Sequence, residues 1–188
     1  MHSNFLFHGT SLKNAKAILE NGFDGSEGEQ IWSVSAKANY FWSMKDLCKA
    51  EGQSPKENPE FVRDRAMESG LYAVTQTDCS HVVVFMISGA GVNYEPDQSC
   101  PYMDGAVVSQ DLIPADKILK MWMTNDLTYF KPFIVAAELN WKANLRITPD
   151  YHPALLAAGE AIQKSKVEFY YNDYIEMEET TKREILNM

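Results

Sequence analysis

The sequence has few cysteines, and their spacing does not suggest a disulfide framework or a zinc site. Cys48, Cys79 and Cys100 are scattered along the 188-residue chain, and none lies in a C-x-x-C pair. Structural zinc and small disulfide-rich folds both need closely spaced ligands or half-cystines. We therefore expect no metal and no disulfide scaffold, and a reducing cytoplasm is the simplest setting.

Long hydrophobic runs are also missing. The longest, residues 82–87, is far shorter than the roughly 20 residues that a membrane-spanning helix needs. The N-terminus reaches polar Asn4 before any hydrophobic stretch forms. We therefore expect no signal peptide and no membrane anchor, and a cytoplasmic protein of bacterial, phage or delivered-effector context.

No basic run occurs anywhere, and the formal net charge is −9. Nucleic-acid binding draws its affinity from Lys and Arg that neutralise phosphates, so a nucleic-acid partner is disfavoured. A basic protein partner stays open. The acidic residues Glu176, Glu178 and Glu179 are typical of a solvated helical face.

The apolar content is high enough for a folded core. Hydrophobic residues make up 45% of the chain and aromatic residues 12%, which excludes wholesale disorder. The length suits a single domain, residues 1–188. Strand and helix patterns mix without internal repeats, which predicts an α+β fold.

The first strand-to-helix junction carries His8-Gly9-Thr10. Residues 5–7 form an apolar strand candidate, and residues 11–21 show helical spacing that Asn21-Gly22 ends. We expect His8, Gly9 and Thr10 in the turn between them. Backbone amides at such a turn are available to a ligand.

A second junction follows at residues 31–36. Residues 31–35 alternate as a half-buried strand, and a helix is predicted from Ala36 onward, with Ser35 as its N-cap. Its apolar face comprises Tyr40, Phe41, Met44, Leu47 and Cys48. Asn58-Pro59 opens a third helix that ends near Gly70.

The remaining pattern is mainly extended. Residues 82–87 predict a strand buried on both faces, residues 93–101 a long loop, and residues 106–108 another strand. Ile113-Pro114 is a turn signal before an extended or short helical piece at Lys117-Ile118. Further on we predict a strand at 133–139, a helix at 153–166 and an edge strand at 167–171.

The order of these pieces resembles the ADP-ribosyltransferase superfamily, in the branch that contains diphtheria toxin and the poly(ADP-ribose) polymerases. His8-Gly9 is similar to its opening motif, residues 35–40 to its second, and Asp104-Gly105-Ala106 to its third. The resemblance implies a split, mixed or antiparallel β-sandwich with flanking helices. It further implies an NAD-binding core at residues 1–126, elaborated by residues 127–188.

The resemblance assigns roles around the first motif. His8 corresponds to the histidine that hydrogen-bonds the adenosine ribose, since imidazole can donate and accept at once. Gly9 corresponds to the residue whose backbone pairs with the nicotinamide carboxamide, and it lets a ligand approach closely. Thr10 caps the helix or assists the ribose contact.

Tyr40 corresponds to the ring that stacks on nicotinamide, although simple core packing explains it equally well. The family's serine, three residues before that tyrosine, would be Lys37 here. Aligned from the helix start instead, Trp32 takes the strand-end aromatic position, and Tyr40 and Ser43 share one face. The candidate NAD-binding residues are therefore His8, Gly9, Thr10, Trp32, Ser33, Ser35, Tyr40 and Ser43.

Asp104 aligns with the family glutamate that stabilises the oxocarbenium-like charge as nicotinamide leaves. It is one methylene shorter, and an Asp-Gly pair is also a common turn signal. Glu95, Asp97 and Asp111 are the alternatives. The predicted catalytic set is His8, Tyr40 and Asp104, with NAD as co-substrate and no metal.

The resemblance implies a mono-ADP-ribosyltransferase with a protein acceptor. An RNA 2′-phosphotransferase is the first alternative, since that branch also opens with His-Gly-Thr and carries a segment like Leu112-Ile113-Pro114. It needs basic residues that this acidic chain lacks as a cluster. The second alternative is an inactive module that binds NAD or a protein.

Overall fold

The computed structural model describes residues 4–24, 38–50, 59–75, 81–98, 103–124, 127, 174–177 and 186. Its helices are α1 (Leu12–Asn21), α2 (Met44–Ala50) and α3 (Pro59–Thr75), and a 3₁₀ turn spans Ala115–Lys117. Its strands are β1 (Phe5–Ser11), β2 (Phe23–Asp24), β3 (Asn39–Ser43), β4 (Val82–Ser88), β5 (Glu95–Pro96), β6 (Ala106–Ser109), β7 (Leu112–Ile113), β8 (Ile118–Thr124) and β9 (Tyr174–Met177).

Seven of these strands form one sheet in the order β5-β6-β3-β1-β4-β8-β9, and β2 pairs with β7 separately. Each neighbouring pair is antiparallel. The predicted α+β class is confirmed, and of the two predicted sheet types, mixed or antiparallel, the described strands form the antiparallel one. The described strands include no parallel pair.

β1 runs straight through His8, Gly9 and Thr10, so the predicted turn at these residues is wrong. The strand pairs with β4 along its whole length, from Phe5 opposite Ser88 to Ser11 opposite Val82. Its side chains alternate between two buried layers, which favours a strand even where the residues are polar. His8 and Thr10 therefore face one layer, and Gly9 faces the other.

The helix after β1 ends at Asn21 as its sequence predicts, but it begins at Leu12, one residue later than predicted, and the capping role expected for Thr10 is wrong. The Ser11 side chain accepts a hydrogen bond from the amide of Asn14, which makes Ser11 the N-cap. Gly22, at φ 80°, ends the helix by donating its amide to the carbonyl of Ile18 at 2.8 Å.

Tyr40 lies on a strand, so the helix predicted from Ala36 is wrong in its first part. Residues 39–43 form β3, and only residues 44–50 form α2. Tyr40, Phe41 and Trp42 are aromatic residues that suit a pleated surface. The apolar spacing that suggested one helix combines a strand with the helix that follows it.

β4 is buried on both faces, as its apolar run predicts. Val82 and Val84 pack on one side of the sheet, whereas Val83, Phe85 and Ile87 pack on the other. The strand predicted at residues 106–108 is confirmed as β6. After Pro114, where an extended or a short helical piece is predicted, a 3₁₀ turn is followed directly by β8.

α3 crosses β1 at Gly9, where a side chain would overlap the carbonyl oxygen of Ala66. Gly70 makes the reciprocal approach, since a Cβ there would lie 3.0 Å from the Thr10 amide. The helix therefore continues past Gly70 to Thr75, and the predicted end near Gly70 is wrong. Gly70 serves close packing between a helix and a strand rather than helix termination.

Several predicted elements lie outside the described residues: the strand at 31–35, the strand at 133–139, the helix at 153–166 and the edge strand at 167–171. Glu176 is described and lies on β9, which pairs with β8 at the sheet edge. The helical face predicted for Glu176 is therefore wrong.

We expect Gly9→Ala to lower the free energy of unfolding by about 3 kcal/mol or more, because overpacking against α3 backbone cannot be relieved by a side-chain rotation. Gly91→Ala is the matched control. Gly91 has φ +74° and open space around it, so its cost should be about 1 kcal/mol of backbone strain. Urea unfolding of both variants measures the difference, and equal losses would contradict the close crossing.

Candidate functional site

The hydrogen-bond ladder between β1 and β3 stops early and leaves a gap in the sheet. It pairs Leu6 with Ser43 and Phe7 with Trp42, and no further. Beyond Phe7, β1 remains paired with β4 up to Ser11, and β3 remains paired with β6 down to Asn39. The two halves of the sheet thus separate at His8, and we name this gap the split.

The backbone of Gly9 faces the split. The Gly89 amide donates to the Asn4 carbonyl and the Leu12 amide to the His81 carbonyl. Even-numbered residues of β1 therefore direct their backbone groups toward β4, and odd-numbered residues toward β3. The N–H and C=O of Gly9 point across the split, where the ladder gives them no partner on β3.

The His8 side chain bridges the split at its closed end. Its Nδ1 lies 2.7 Å from the carbonyl oxygen of Tyr40. A carbonyl only accepts, so Nδ1 carries the proton and donates. Burial lowers the pKa of His8, and the bond to Tyr40 opposes this in part. The ring is therefore neutral at pH 7, and its Nε2 presents a lone pair.

Aromatic rings hold the imidazole in place. The His8 ring lies 5.2 Å from the Phe23 ring and 5.5 Å from the Phe41 ring, measured between centroids. Phe23 and Phe41 are fully or almost fully buried and contact each other at 5.4 Å. His8 makes no other hydrogen bond with the described residues, so Nε2 is left as a hydrogen-bond acceptor for a ligand.

Tyr40 joins His8 through its backbone and not through its ring. Alternation along β3 puts the Tyr40 side chain on the same face as Trp42, whose indole Nε1 donates to Ser69 of α3 at 3.0 Å. His8 and Phe41 lie on the opposite face. The expectation that Tyr40 faces His8 in one cleft is therefore wrong.

The other predicted NAD-binding residues have mixed positions. Thr10 is buried on the His8 face of β1. Ser43 is buried, and its hydroxyl donates to the Asp46 carboxylate at 2.6 Å and accepts from the Asp46 amide, so it caps α2. The predicted sites Trp32, Ser33 and Ser35 lie outside the described residues.

Asp104 is exposed in the turn before β6. Gly105 has φ +78°, and its carbonyl accepts from the Ser43 amide at 2.8 Å. The Asp-Gly pair is thus a turn. Asp104 lies beyond Ala106, which pairs with Trp42, whereas Tyr40 pairs with Val108. The structure does not bring Asp104 into contact with His8.

The alternative carboxylates lie on or close to β5 and β6, at one edge of the sheet. Glu95 is exposed and pairs with Val108, so it stands in the cross-strand row of Tyr40. The Asp97 amide donates to the Ala106 carbonyl at 3.0 Å. Asp111 accepts from the amide and the side chain of Asn93. None of these carboxylates is hydrogen-bonded to His8.

Asn39 is a polar residue at the split that the sequence did not single out. It is 8% exposed, and its buried Nδ2 has no hydrogen-bond partner in the described part of the chain. Alternation along β3 puts its side chain on the face of Phe41. The sequence does contain a signal, one amide side chain directly before three consecutive aromatic residues. That signal can be recognised only once this segment is known to be a strand.

Two kinds of feature are absent from the described residues. In the part of the chain that the structure describes, no three His, Cys, Asp or Glu side chains are grouped so that they could hold a metal ion. Within the same residues, no helix has the length and apolar character needed to cross a membrane.

We expect the free energy of unfolding to decrease as the pH falls below about 6.5. The pKa of His8 is lowered from its ordinary 6.5 in the native state, so the unfolded chain binds more protons in that window. His8→Asn keeps an amide donor for the Tyr40 carbonyl but does not titrate. Urea unfolding between pH 7.5 and 5.5 should show a flatter dependence for His8→Asn, and parallel curves would refute the assignment.

Comparison with known proteins gives no family for this chain. No protein-family model matches it, and no curated protein or solved structure does either. The function is therefore inferred from the residues of the split and the chemistry they offer.

Proposed function

We propose that this protein is an NAD-dependent mono-ADP-ribosyltransferase with an ADP-ribosyltransferase-like fold, and that it binds NAD in the split between β1 and β3. The observation that carries the proposal is the sheet opening at His8, where a neutral imidazole and an unpaired strand backbone face the same gap. The resemblance of His8-Gly9 to the family's opening motif agrees with this position.

His8 and Gly9 offer complementary groups for the two ends of the dinucleotide. The Nε2 lone pair of His8 can accept a hydrogen bond from a hydroxyl of the adenosine ribose. Gly9 directs one donor and one acceptor into the split, and a carboxamide such as that of nicotinamide has the matching acceptor and donor. Phe23 and Phe41 hold the imidazole so that its Nε2 stays oriented.

The reaction is displacement at the anomeric carbon of the nicotinamide ribose. The C–N glycosidic bond breaks, its electron pair leaves with nicotinamide as a neutral base, and the acceptor nucleophile forms the new bond and loses its proton. A carboxylate would stabilise the positive charge that develops on the ribose. We propose Asp104 for this role, with Glu95, Asp97 and Asp111 as alternatives.

A protein is the proposed acceptor. The net charge of −9 would attract a basic target and repel RNA, so the charge gives no support to a 2′-phosphotransferase. A second candidate, an NAD-binding module without turnover, is favoured by one observation. Asp104 is exposed in a turn, away from His8, and none of the other candidate carboxylates contacts the imidazole.

We expect the wild-type protein to bind NAD and His8→Asn to bind it at least tenfold more weakly, because Asn can occupy the position of Nδ1 but cannot place an acceptor at Nε2. A tenfold loss corresponds to about 1.4 kcal/mol. Isothermal titration calorimetry measures both dissociation constants. Leu112→Ser, at a residue 63% exposed, is the control that should bind as wild type does. Equal affinity of His8→Asn would remove His8 from the site.

Asp104→Asn should slow nicotinamide release by about 100-fold or more without weakening NAD binding, because a charge-stabilising group acts mainly in the transition state. Glu95→Gln is the matched comparison, and the variant with the larger loss identifies the carboxylate. Mass spectrometry should detect ADP-ribose on a basic protein acceptor. Binding of NAD with no nicotinamide release by wild type would leave the non-catalytic module.

A further inference from the structure

The Asn39 side chain ends in a buried amide nitrogen that has no hydrogen-bond partner among the described residues. Asn39 is 8% exposed, and its Nδ2 makes no hydrogen bond with the residues that the structure describes. Buried polar groups almost always have a partner, and an unpaired one costs about 1–3 kcal/mol. Such a group indicates a bonding partner other than the described residues.

Asn39 lies beside the split on the same face as His8. It alternates with Phe41, whose ring contacts the imidazole. Continuing the register of β1 and β3 beyond its last pair sets His8 across from Phe41, and Thr10 across from Asn39. The two positions on β3 are two residues apart, which is roughly 7 Å along a strand. One nucleoside can span that distance.

We propose that Asn39 is a ligand-binding residue of this site, and that its amide donates to an oxygen or ring-nitrogen acceptor on the adenosine half of the bound dinucleotide. The inference rests on the proposed function, in which His8 binds the adenosine ribose. Asn39 extends that contact toward the open end of the split. It offers the ligand a hydrogen-bond donor, which His8 cannot do because its Nδ1 already donates to the Tyr40 carbonyl.

The described groups at the split carry no charge, which favours a nucleoside group over a phosphate as their ligand. His8 is neutral because burial lowers its pKa, and Asn39 and the Gly9 backbone carry no net charge. A phosphate in a half-buried site is bound by charge-assisted hydrogen bonds from cationic side chains. Neutral donors and acceptors instead suit hydroxyls and heterocyclic nitrogens, which lose less hydration on entering the site.

Asn39→Leu tests the inference, because leucine has a similar branched shape and lacks the amide. If the amide bonds only to a ligand, Asn39→Leu should raise the midpoint of thermal unfolding of the protein without ligand. It should also weaken the binding of NAD and the binding of ADP-ribose by the same factor of at least ten. Nicotinamide alone should bind both proteins equally. Asn21→Leu, the same substitution at an exposed helix end, is the matched control and should leave every affinity unchanged.

Three results would overturn the inference. Unchanged affinity for NAD would show that Asn39 does not touch the ligand, while the proposed function would stand. Weaker binding of NAD together with unchanged binding of ADP-ribose would show that Asn39 contacts the nicotinamide end of the ligand. A lower unfolding midpoint would show that the amide has a structural partner. Absence of NAD binding by wild type is a separate failure, that of the proposed function itself.

Discussion

The hydrogen bond from His8 Nδ1 to the Tyr40 carbonyl is the interaction on which the site depends. Where the ladder between β1 and β3 stops, a strand carbonyl would otherwise lose its partner inside the protein. The imidazole replaces the missing backbone donor, and doing so fixes its tautomer. The opening in the sheet and the acceptor at Nε2 therefore arise from one contact.

Successive residues of β1 have different roles because their side chains and backbone groups alternate in direction along the strand. Gly9 turns its missing side chain toward α3, which fixes the helix against the sheet. The backbone of the same residue points sideways into the split. His8, one residue earlier, faces the aromatic layer of Phe23 and Phe41. A residue that is small for packing reasons can therefore still present its peptide groups to a ligand.

Secondary structure could be predicted from the sequence where one spacing of apolar residues extended over a whole segment. α1 with its C-terminal Gly22, the doubly buried β4 and the α+β class follow from regular patterns and turn chemistry. The site residues were placed less well. Gly9 looked like a turn residue because sequence alone cannot distinguish a glycine needed for φ from one needed for helix contact. Tyr40 looked helical because apolar residues of β3 and α2 happened to share a helical spacing. The role of Asn39 depends on the strand register and on an unpaired atom, and neither is visible in a sequence.

The pairing of β9 with β8 has a consequence for how the chain is made. β8 ends at Thr124 and its outer neighbour begins at Tyr174, so about fifty residues separate two strands that lie side by side. Until those residues leave the ribosome, the outer edge of β8 is a row of unpaired peptide groups, a surface to which other nascent chains can add a strand. Lys120 lies on that strand, and charged side chains on an exposed edge strand generally disfavour such additions. The outer edge of β8 is thus paired only once β9, far along the chain, has been synthesised.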